Sequence, residues 1–142
     1  MCLILLSWRQ RPDTPLLLAA NRDEFYARPT APATFWPEAP QLLAGRDLVG
    51  GGTWLGVATD GRWGAVTNYR DPAEHRPGAP SRGDLVRDYL LGGASPRRWL
   101  QQMAAGADRY PGFNLLLGSA DELCYFSNRQ GVIRSLPPGL YG

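Results

Sequence analysis

The chain has 142 residues, enough for one domain built around a single hydrophobic core. Its hydrophobic fraction of 44%, charged fraction of 20% and net charge of +2 are ordinary for a soluble globular protein, and its arginines are scattered. We therefore expect no nucleic-acid stripe, no membrane insertion and, since the opening apolar run is too short for a signal peptide, a cytoplasmic protein.

The first half of the chain reads as β-strands. Residues 2–8 and 15–20 are apolar at successive positions, as in strands covered on both faces, and the breakers between them predict a hairpin. Four prolines within residues 28–40 predict a segment that runs extended across the surface. Further short strands are predicted at residues 42–44, 53–58 and 63–68, with a type I′ turn at Asp60-Gly61 between the last two.

The second half predicts two helices and then more strands. The first helix begins at Ser81, which has capping-box spacing to Asp84, and stops at two glycines; the second begins at Ser95 with Pro96 in its first turn. Strands are predicted at 113–117, 123–127 and 132–135, and the closing LPPGLYG predicts a turn. This order favours a single α+β domain over residues 1–142, with antiparallel strands and no βαβ alternation.

A cysteine directly follows the start methionine. If Met1 is removed, Cys2 carries a thiol and a free α-amine, whose reference pKa values are about 8.5 and about 7.7–8.0. The amine can then serve as general base for the thiol, so one residue supplies both nucleophile and activator without a catalytic histidine. The alternative is a small hydrophobic residue at the head of a buried strand. With a single histidine, His75, and no CxxC spacing, no metal site is expected.

Four polar residues follow the second predicted strand, and in a hairpin they lie near Cys2. Arg22 could favour the thiolate, Asp23 or Glu24 could orient the α-ammonium or accept its proton, and Asn21 could donate to an oxyanion. The alternative is a charged strand end held by local pairing. Because side chains alternate along a strand, all four cannot face the same side.

Two other segments carry candidate site residues. Asn68 ends a predicted strand, so it is either a donor to the oxyanion or an asparagine that opens a turn. The three glycines at 50–52 allow a backbone cradle for a phosphate, although a bend between strands is the simpler interpretation.

The chain resembles the transport and Golgi organisation protein 2 family, whose members carry an NRDE motif. The resemblance rests on segments that occur in the family's order: MC with an apolar strand, LLLAANRDEFYARP, LLAGRDLVGGGTWLGV, GRWGAVTNYRDP, SRGDLVRDYL, YPGFNLLLG, CYFSNR and LPPGLYG. That family is in turn similar to N-terminal-nucleophile hydrolases of the choloylglycine hydrolase and penicillin V acylase type. The resemblance implies stacked antiparallel sheets between helical layers, an αββα fold.

The same resemblance implies roles for particular residues. Cys2 matches the nucleophile, Asn68 matches an oxyanion asparagine, and the Arg-x-x-Asp of those hydrolases falls on either Arg22 with Asp23 or Asn21 with Glu24. Family members are usually longer, so the chain is expected to be an incomplete N-terminal portion of that fold.

Two functions are compatible with these residues. One is a cysteine hydrolase or acyltransferase that acts on a small-molecule amide or thioester through an acyl-Cys2 intermediate. The other is a non-catalytic carrier of haem or of an acyl-CoA-like or lipid-like ligand, a function proposed for the family. No cofactor is predicted for the enzyme, and the oligomeric state is not predicted from the sequence.

Overall fold

The computed structural model describes residues 2–69 and 77–142, so Met1 and His75 lie outside the described residues. The described strands and helices follow the predicted order and confirm the α+β class. In chain order they are β1 (Leu3–Trp8), β2 (Leu16–Asn21), β3 (Thr30–Trp36), β4 (Ala39–Asp47), β5 (Leu55–Ala58), β6 (Trp63–Asn68), α1 (Arg82–Leu91), α2 (Pro96–Ala104), a 3₁₀ turn (Ala107–Arg109), β7 (Phe113–Gly118), β8 (Leu123–Ser127), β9 (Ile133–Ser135) and β10 (Gly139–Tyr141).

The strands form two antiparallel sheets. One has three strands in the order β10-β1-β2, and the other has seven strands that run consecutively from β3 to β9. The predicted β1–β2 hairpin is confirmed, with Leu3 opposite Asn21 and Trp8 opposite Leu16. This register brings the polar end of β2 back to the start of β1, next to Cys2.

The seven-stranded sheet is covered on both faces, as strand β6 shows. Gly64 and Val66 face α1 and α2, whereas Trp63 and Ala65 face the three-stranded sheet. Each side has its own hydrophobic core, because successive side chains of a strand point to opposite faces. The described layers are therefore helices, large sheet and small sheet.

The outer face of the three-stranded sheet is apolar and open to solvent. Its exposed side chains are Leu3, Leu5, Leu17 and Leu140, which are 49%, 51%, 61% and 75% exposed. In an αββα fold a second helical layer would cover a face of this kind. That fourth layer, and with it the hydrolase-like arrangement, remains a prediction.

Residues 28–40 run extended and mostly exposed, as predicted, but they also contain strand β3 and the start of β4, which were not predicted. Strand β3 is an edge strand, and its pairing with β4 shifts register between Ala31 and Thr34, on either side of Pro32. Proline lacks the backbone N–H that a central strand needs, but it is tolerated at an edge or a bulge. The proline-rich composition therefore indicated an edge strand and not the absence of one.

Two predicted turns also differ from the structure. The closing segment contains β10, which pairs with β1 through Leu140 opposite Ser7, so it is not a simple turn. The β5–β6 hairpin is present, but among the described residues Arg9 is the one non-glycine with positive φ. Asp60 therefore lacks the φ that a type I′ turn requires, and only Gly61, with φ of 85°, is left-handed.

Both predicted helix starts are confirmed. The Ser81 side chain accepts a hydrogen bond from the backbone N–H of Gly83, and the Ser95 side chain accepts one from Arg98. The Asp84 carboxylate pairs with Arg87 at 2.7 Å, one turn along α1. The helices span ten and nine residues, and within the described part of the chain none is long and apolar enough to cross a membrane.

Candidate functional site

Cys2 lies at the head of β1, where the polar end of β2 meets it. The backbone N–H of Asp23 donates to the Cys2 sulfur at 3.3 Å, and the Asn21 side-chain oxygen accepts from the backbone N–H of Leu3 at 3.0 Å. Cys2 is partly exposed, whereas the other cysteine, Cys124, is buried, and burial raises the pKa of its thiol. Cys2 is thus the thiol that solvent reaches, and a backbone amide is available to stabilise its thiolate.

A chain of ion pairs extends from the same segment towards the large sheet. Arg22 lies 3.6 Å from Glu24, and the same Glu24 oxygen lies 3.8 Å from Arg28. Arg28 donates hydrogen bonds from both Nε and Nη2 to the carboxylate of Asp47, at the end of β4, at 2.7–3.1 Å. All four side chains are partly buried, between 17% and 32% exposed. The structure therefore places the NRDE motif in a network of alternating charge that crosses from one sheet to the other.

The Arg28–Asp47 ion pair favours the charged forms of both side chains. Burial opposes ionisation of Asp47, but the hydrogen bonds from Arg28 and from the backbone N–H groups of Val49 and Gly50 outweigh it. The pKa of the Asp47 carboxyl therefore lies below its ordinary value of 3.8, and the hydrogen bond that Arg28 donates to Asp47 raises the pKa of Arg28. Asp47 is ionised and Arg28 is charged throughout the neutral range.

This lowered pKa predicts a pH-dependent stability. A carboxyl whose folded pKa is depressed stabilises the fold above its unfolded pKa and loses that contribution as the pH falls through the folded pKa. We expect Asp47→Asn to lower the free energy of unfolding by about 2 kcal/mol at pH 7 and by clearly less at pH 3. Urea unfolding of both proteins at the two pH values measures the difference, and a cost that grows towards pH 3 would contradict it.

The site opens into a cleft of about 800 Å³ between the two sheets and the start of α1. Cys2, Arg22, Asp23, Glu24 and Asn68 line it, so the structure brings five of the six predicted site residues together. Asn21 is not among the residues that line the cleft, and its side-chain oxygen accepts a hydrogen bond from the Leu3 backbone N–H. Its role as an oxyanion donor stays a prediction.

The three glycines act as a bend and not as an open anion cradle. The Asp47 side chain accepts the N–H groups of Val49 and Gly50, and its carbonyl oxygen accepts that of Gly51. These amides are therefore already bound to Asp47. Gly52 instead allows the loop to approach α1, where Thr53 donates to the Gly83 carbonyl at 3.2 Å. The simpler interpretation of the glycines is the better one.

Sequence reasoning missed Arg28 and Asp47. A local signal existed for Arg28, which follows Glu24 by four residues, and Asp47 immediately precedes the glycine-rich bend. Neither signal indicates that the two side chains meet, because they are 19 residues apart and belong to different segments.

Comparisons with known proteins agree with the resemblance seen in the sequence. The family model described as Transport and Golgi organisation 2 matches residues 1–142. Three similar proteins are named as Transport and Golgi organization 2 homologs, from Mus musculus, Bos taurus and Homo sapiens, at 38%, 39% and 37% identity. Each match covers 100% of this chain and 56% of the relative, so the chain spans about half the length of these relatives.

A more distant relative shows the same pattern. The Transport and Golgi organization protein 2 of Drosophila melanogaster is 30% identical over 99% of this chain and 53% of its own length. The similarity therefore covers both sheets, both helices and the cleft between them.

Proposed function

The chain belongs to the transport and Golgi organisation 2 family, and we propose that its cleft performs cysteine-dependent hydrolysis or acyl transfer on an amide or thioester. The observation that carries this proposal is the partly exposed Cys2 sulfur in a cleft of about 800 Å³, with the Asp23 backbone N–H at 3.3 Å. A cleft of this size is typical of sites for small molecules.

The reaction proceeds in two balanced steps. The Cys2 thiolate attacks the carbonyl carbon, the bond from that carbon to nitrogen or sulfur breaks, and the leaving group departs with a proton. Water or an amine then attacks the acyl-Cys2 thioester, which releases the acyl product and restores the thiol. The α-amine can accept and return the proton only after Met1 has been removed.

Asn68 supports the proposal because it lines the same cleft as Cys2. It ends β6, a strand of the large sheet, and lines the cleft together with Cys2. Its side-chain amide supplies a hydrogen-bond donor for the negative oxygen that forms during attack, and one such donor is worth about 10²–10³ in rate. The backbone N–H of Asp23 donates to the Cys2 sulfur. The carboxylates of Asp23 and Glu24 remain the candidates for binding the α-ammonium of Cys2.

The N-terminal-nucleophile type of fold is part of this proposal. Two facing antiparallel sheets with helices outside the larger one support an αββα arrangement, since three of its four layers are present in order. Fold likeness by itself does not establish chemistry, so Cys2 has to be tested directly.

The decisive experiment is acyl trapping followed by intact mass spectrometry. The purified protein is mixed with a chromogenic acyl thioester, quenched in acid and weighed, which also shows whether the chain begins with Met1 or Cys2. We expect one acyl adduct on Cys2 and none in Cys2→Ala. Asn68→Ala should form the adduct more slowly, whereas Asn114→Ala, on the neighbouring strand β7 and outside the cleft lining, serves as a matched asparagine control. Equal labelling of wild type and Cys2→Ala would overturn the proposal.

The size of the cleft also supports the carrier function. Trp54 is the one tryptophan among the described residues that line the cleft, and it contributes to the fluorescence of a chain with five tryptophans. If haem or an acyl-CoA quenches the tryptophan fluorescence equally in wild type and Cys2→Ala, and no adduct forms, the protein is a carrier. Quenching by an acyl-CoA, which acts at short range, should be smaller in Trp54→Phe if the ligand occupies this cleft.

A further inference from the structure

One charge network links Cys2 to the opposite sheet, and its far end is a residue with no assigned role. We infer that Asp47 is a positioning residue: through Arg28 and Glu24 it holds the segment after β2 so that the Asp23 amide stays against the Cys2 sulfur. The inference deepens the proposed function, because it concerns the same cysteine, but its test measures the thiol and not turnover.

Asp47 is a fixed anchor on the large sheet. It is the last residue of β4, and its side chain, 17% exposed, accepts the N–H groups of Val49 and Gly50. Its backbone N–H donates to Gly52 at 2.9 Å, and its carbonyl accepts from Gly51 at 2.7 Å. The bend at 47–52 thus closes on Asp47 and holds both carboxylate oxygens in place for Arg28.

Arg28 transfers this constraint to the segment after β2. Its guanidinium donates to the Asp47 carboxylate through Nε and Nη2, and Nε also lies 3.8 Å from Glu24. The Arg28 backbone N–H donates to the Phe25 carbonyl, and Glu24 accepts the Phe25 N–H at 2.9 Å. A second link between the segments, from the Leu48 N–H to the Pro29 carbonyl at 3.0 Å, lies beside the ion pair.

Asp23 is the residue of this segment whose backbone N–H contacts the Cys2 sulfur. It lies between Arg22 and Glu24, whose side chains pair at 3.6 Å, and its backbone N–H points at Cys2. Asp47 itself acts through Arg28 and Glu24, which makes it a positioning residue and not a catalytic one. Charges from other elements also line the cleft and belong in any account of the thiol: Arg46, Arg82 and Asp84.

Alkylation of Cys2 by iodoacetamide tests the inference. The thiolate sulfur forms a bond to the methylene carbon and iodide leaves, so the rate depends on the thiolate fraction and on access. Dividing the rate at pH 7 by the plateau rate near pH 10 cancels access, because access changes both rates equally. Peptide mapping by mass spectrometry assigns the rate to Cys2, with the buried Cys124 as an internal reference.

We expect Asp47→Asn to lower this ratio about threefold, since the sulfur loses a well-placed N–H donor. Arg28→Gln should lower it by a similar factor, and the double variant should be no lower than either single variant. A simple charge effect predicts otherwise: removing a negative charge would raise the ratio and removing a positive charge would lower it. Changes in the same direction therefore identify positioning.

Asp13→Asn is the matched control, because it makes the same carboxylate-to-amide change as Asp47→Asn. Asp13 pairs with Arg11 at 3.8 Å, and neither residue lines the cleft. The ratio in Asp13→Asn should equal that of the wild type. A ratio that is unchanged in Asp47→Asn, or that moves in opposite directions in Asp47→Asn and Arg28→Gln, overturns the inference.

The test stays informative if one variant is unstable. Thermal melts establish whether each protein folds, and if Asp47→Asn does not, an unchanged ratio in folded Arg28→Gln overturns the inference on its own. Failure of the proposed function gives a different result, namely no acyl adduct on Cys2 while the alkylation ratio still falls in both variants.

Discussion

Gly52→Ala should lower the free energy of unfolding by about 3 kcal/mol or more, the range expected when an added atom overlaps fixed backbone. A Cβ at Gly52 would lie 2.4 Å from the carbonyl carbon of Gly83 and 2.6 Å from its oxygen. It would also lie 2.8 Å from the backbone nitrogen of Asp84. Backbone atoms cannot rotate away as a side chain can, so either the bend or the start of α1 must move. Thermal and urea unfolding measure the cost.

Two other glycines serve as controls for Gly52. A Cβ added at Gly93 or at Gly51 would have no atom within 4 Å. The two positions differ in backbone conformation, because Gly51 has a left-handed φ of 76°. Gly93→Ala should change stability by less than about 0.5 kcal/mol. Gly51→Ala should cost about 1 kcal/mol, because an alanine is strained in the left-handed region. Equal costs at Gly52 and Gly93 would show that the contact with the Gly83 backbone does not determine the loss.

Arg62→Met should lower the free energy of unfolding by about 3 kcal/mol, because the Arg62 guanidinium donates hydrogen bonds to backbone carbonyls at the end of α1. The side chain is only 12% exposed and donates to the carbonyls of Tyr89 at 2.7 Å and Leu90 at 3.2 Å. It also pairs with Asp60 at 2.8 Å and lies over the Tyr89 ring. Methionine preserves much of the apolar stem but leaves the buried carbonyls without their donor.

A second arginine provides the comparison for Arg62. Arg11 pairs with Asp13 at 3.8 Å, but both side chains are more than 70% exposed. Arg11→Met should therefore change stability by less than about 0.5 kcal/mol. Arg62→Lys should fall between wild type and Arg62→Met, since lysine keeps the charge but not the forked donors. A wild-type melt for Arg62→Met would show that α1 does not depend on this cation.

Features encoded by neighbouring residues could be predicted from the sequence. Ser81 and Ser95 start the two helices as expected, because a cap involves only the next two or three residues. The β1–β2 hairpin and the bounds of β6 and β8 also follow from apolar runs between turn residues. The same local logic placed the NRDE motif beside Cys2, since a hairpin returns the end of one strand to the start of the other.

Features that depend on a distant partner could not be predicted. Strand β10 forms because its backbone pairs with that of β1, more than 130 residues earlier in the chain. Strand β3 likewise depends on its pairing with β4. The orientation of each side chain in the NRDE motif had the same origin. The local pattern allowed any of the four to face Cys2, but the register sends Asn21 to the Leu3 backbone and presents the Asp23 amide, not its carboxylate, to the sulfur.

The α+β class, the family, the helices and the meeting of Cys2 with the NRDE motif could all be inferred from the amino-acid sequence. The ion pair of Arg28 with Asp47 across the cleft and the approach of the Gly52 bend to α1 became visible only in the folded chain. Ion pairs and close backbone approaches require two segments to be packed a few ångströms apart. That distance is set by how the two sheets and the helix bury their apolar faces together.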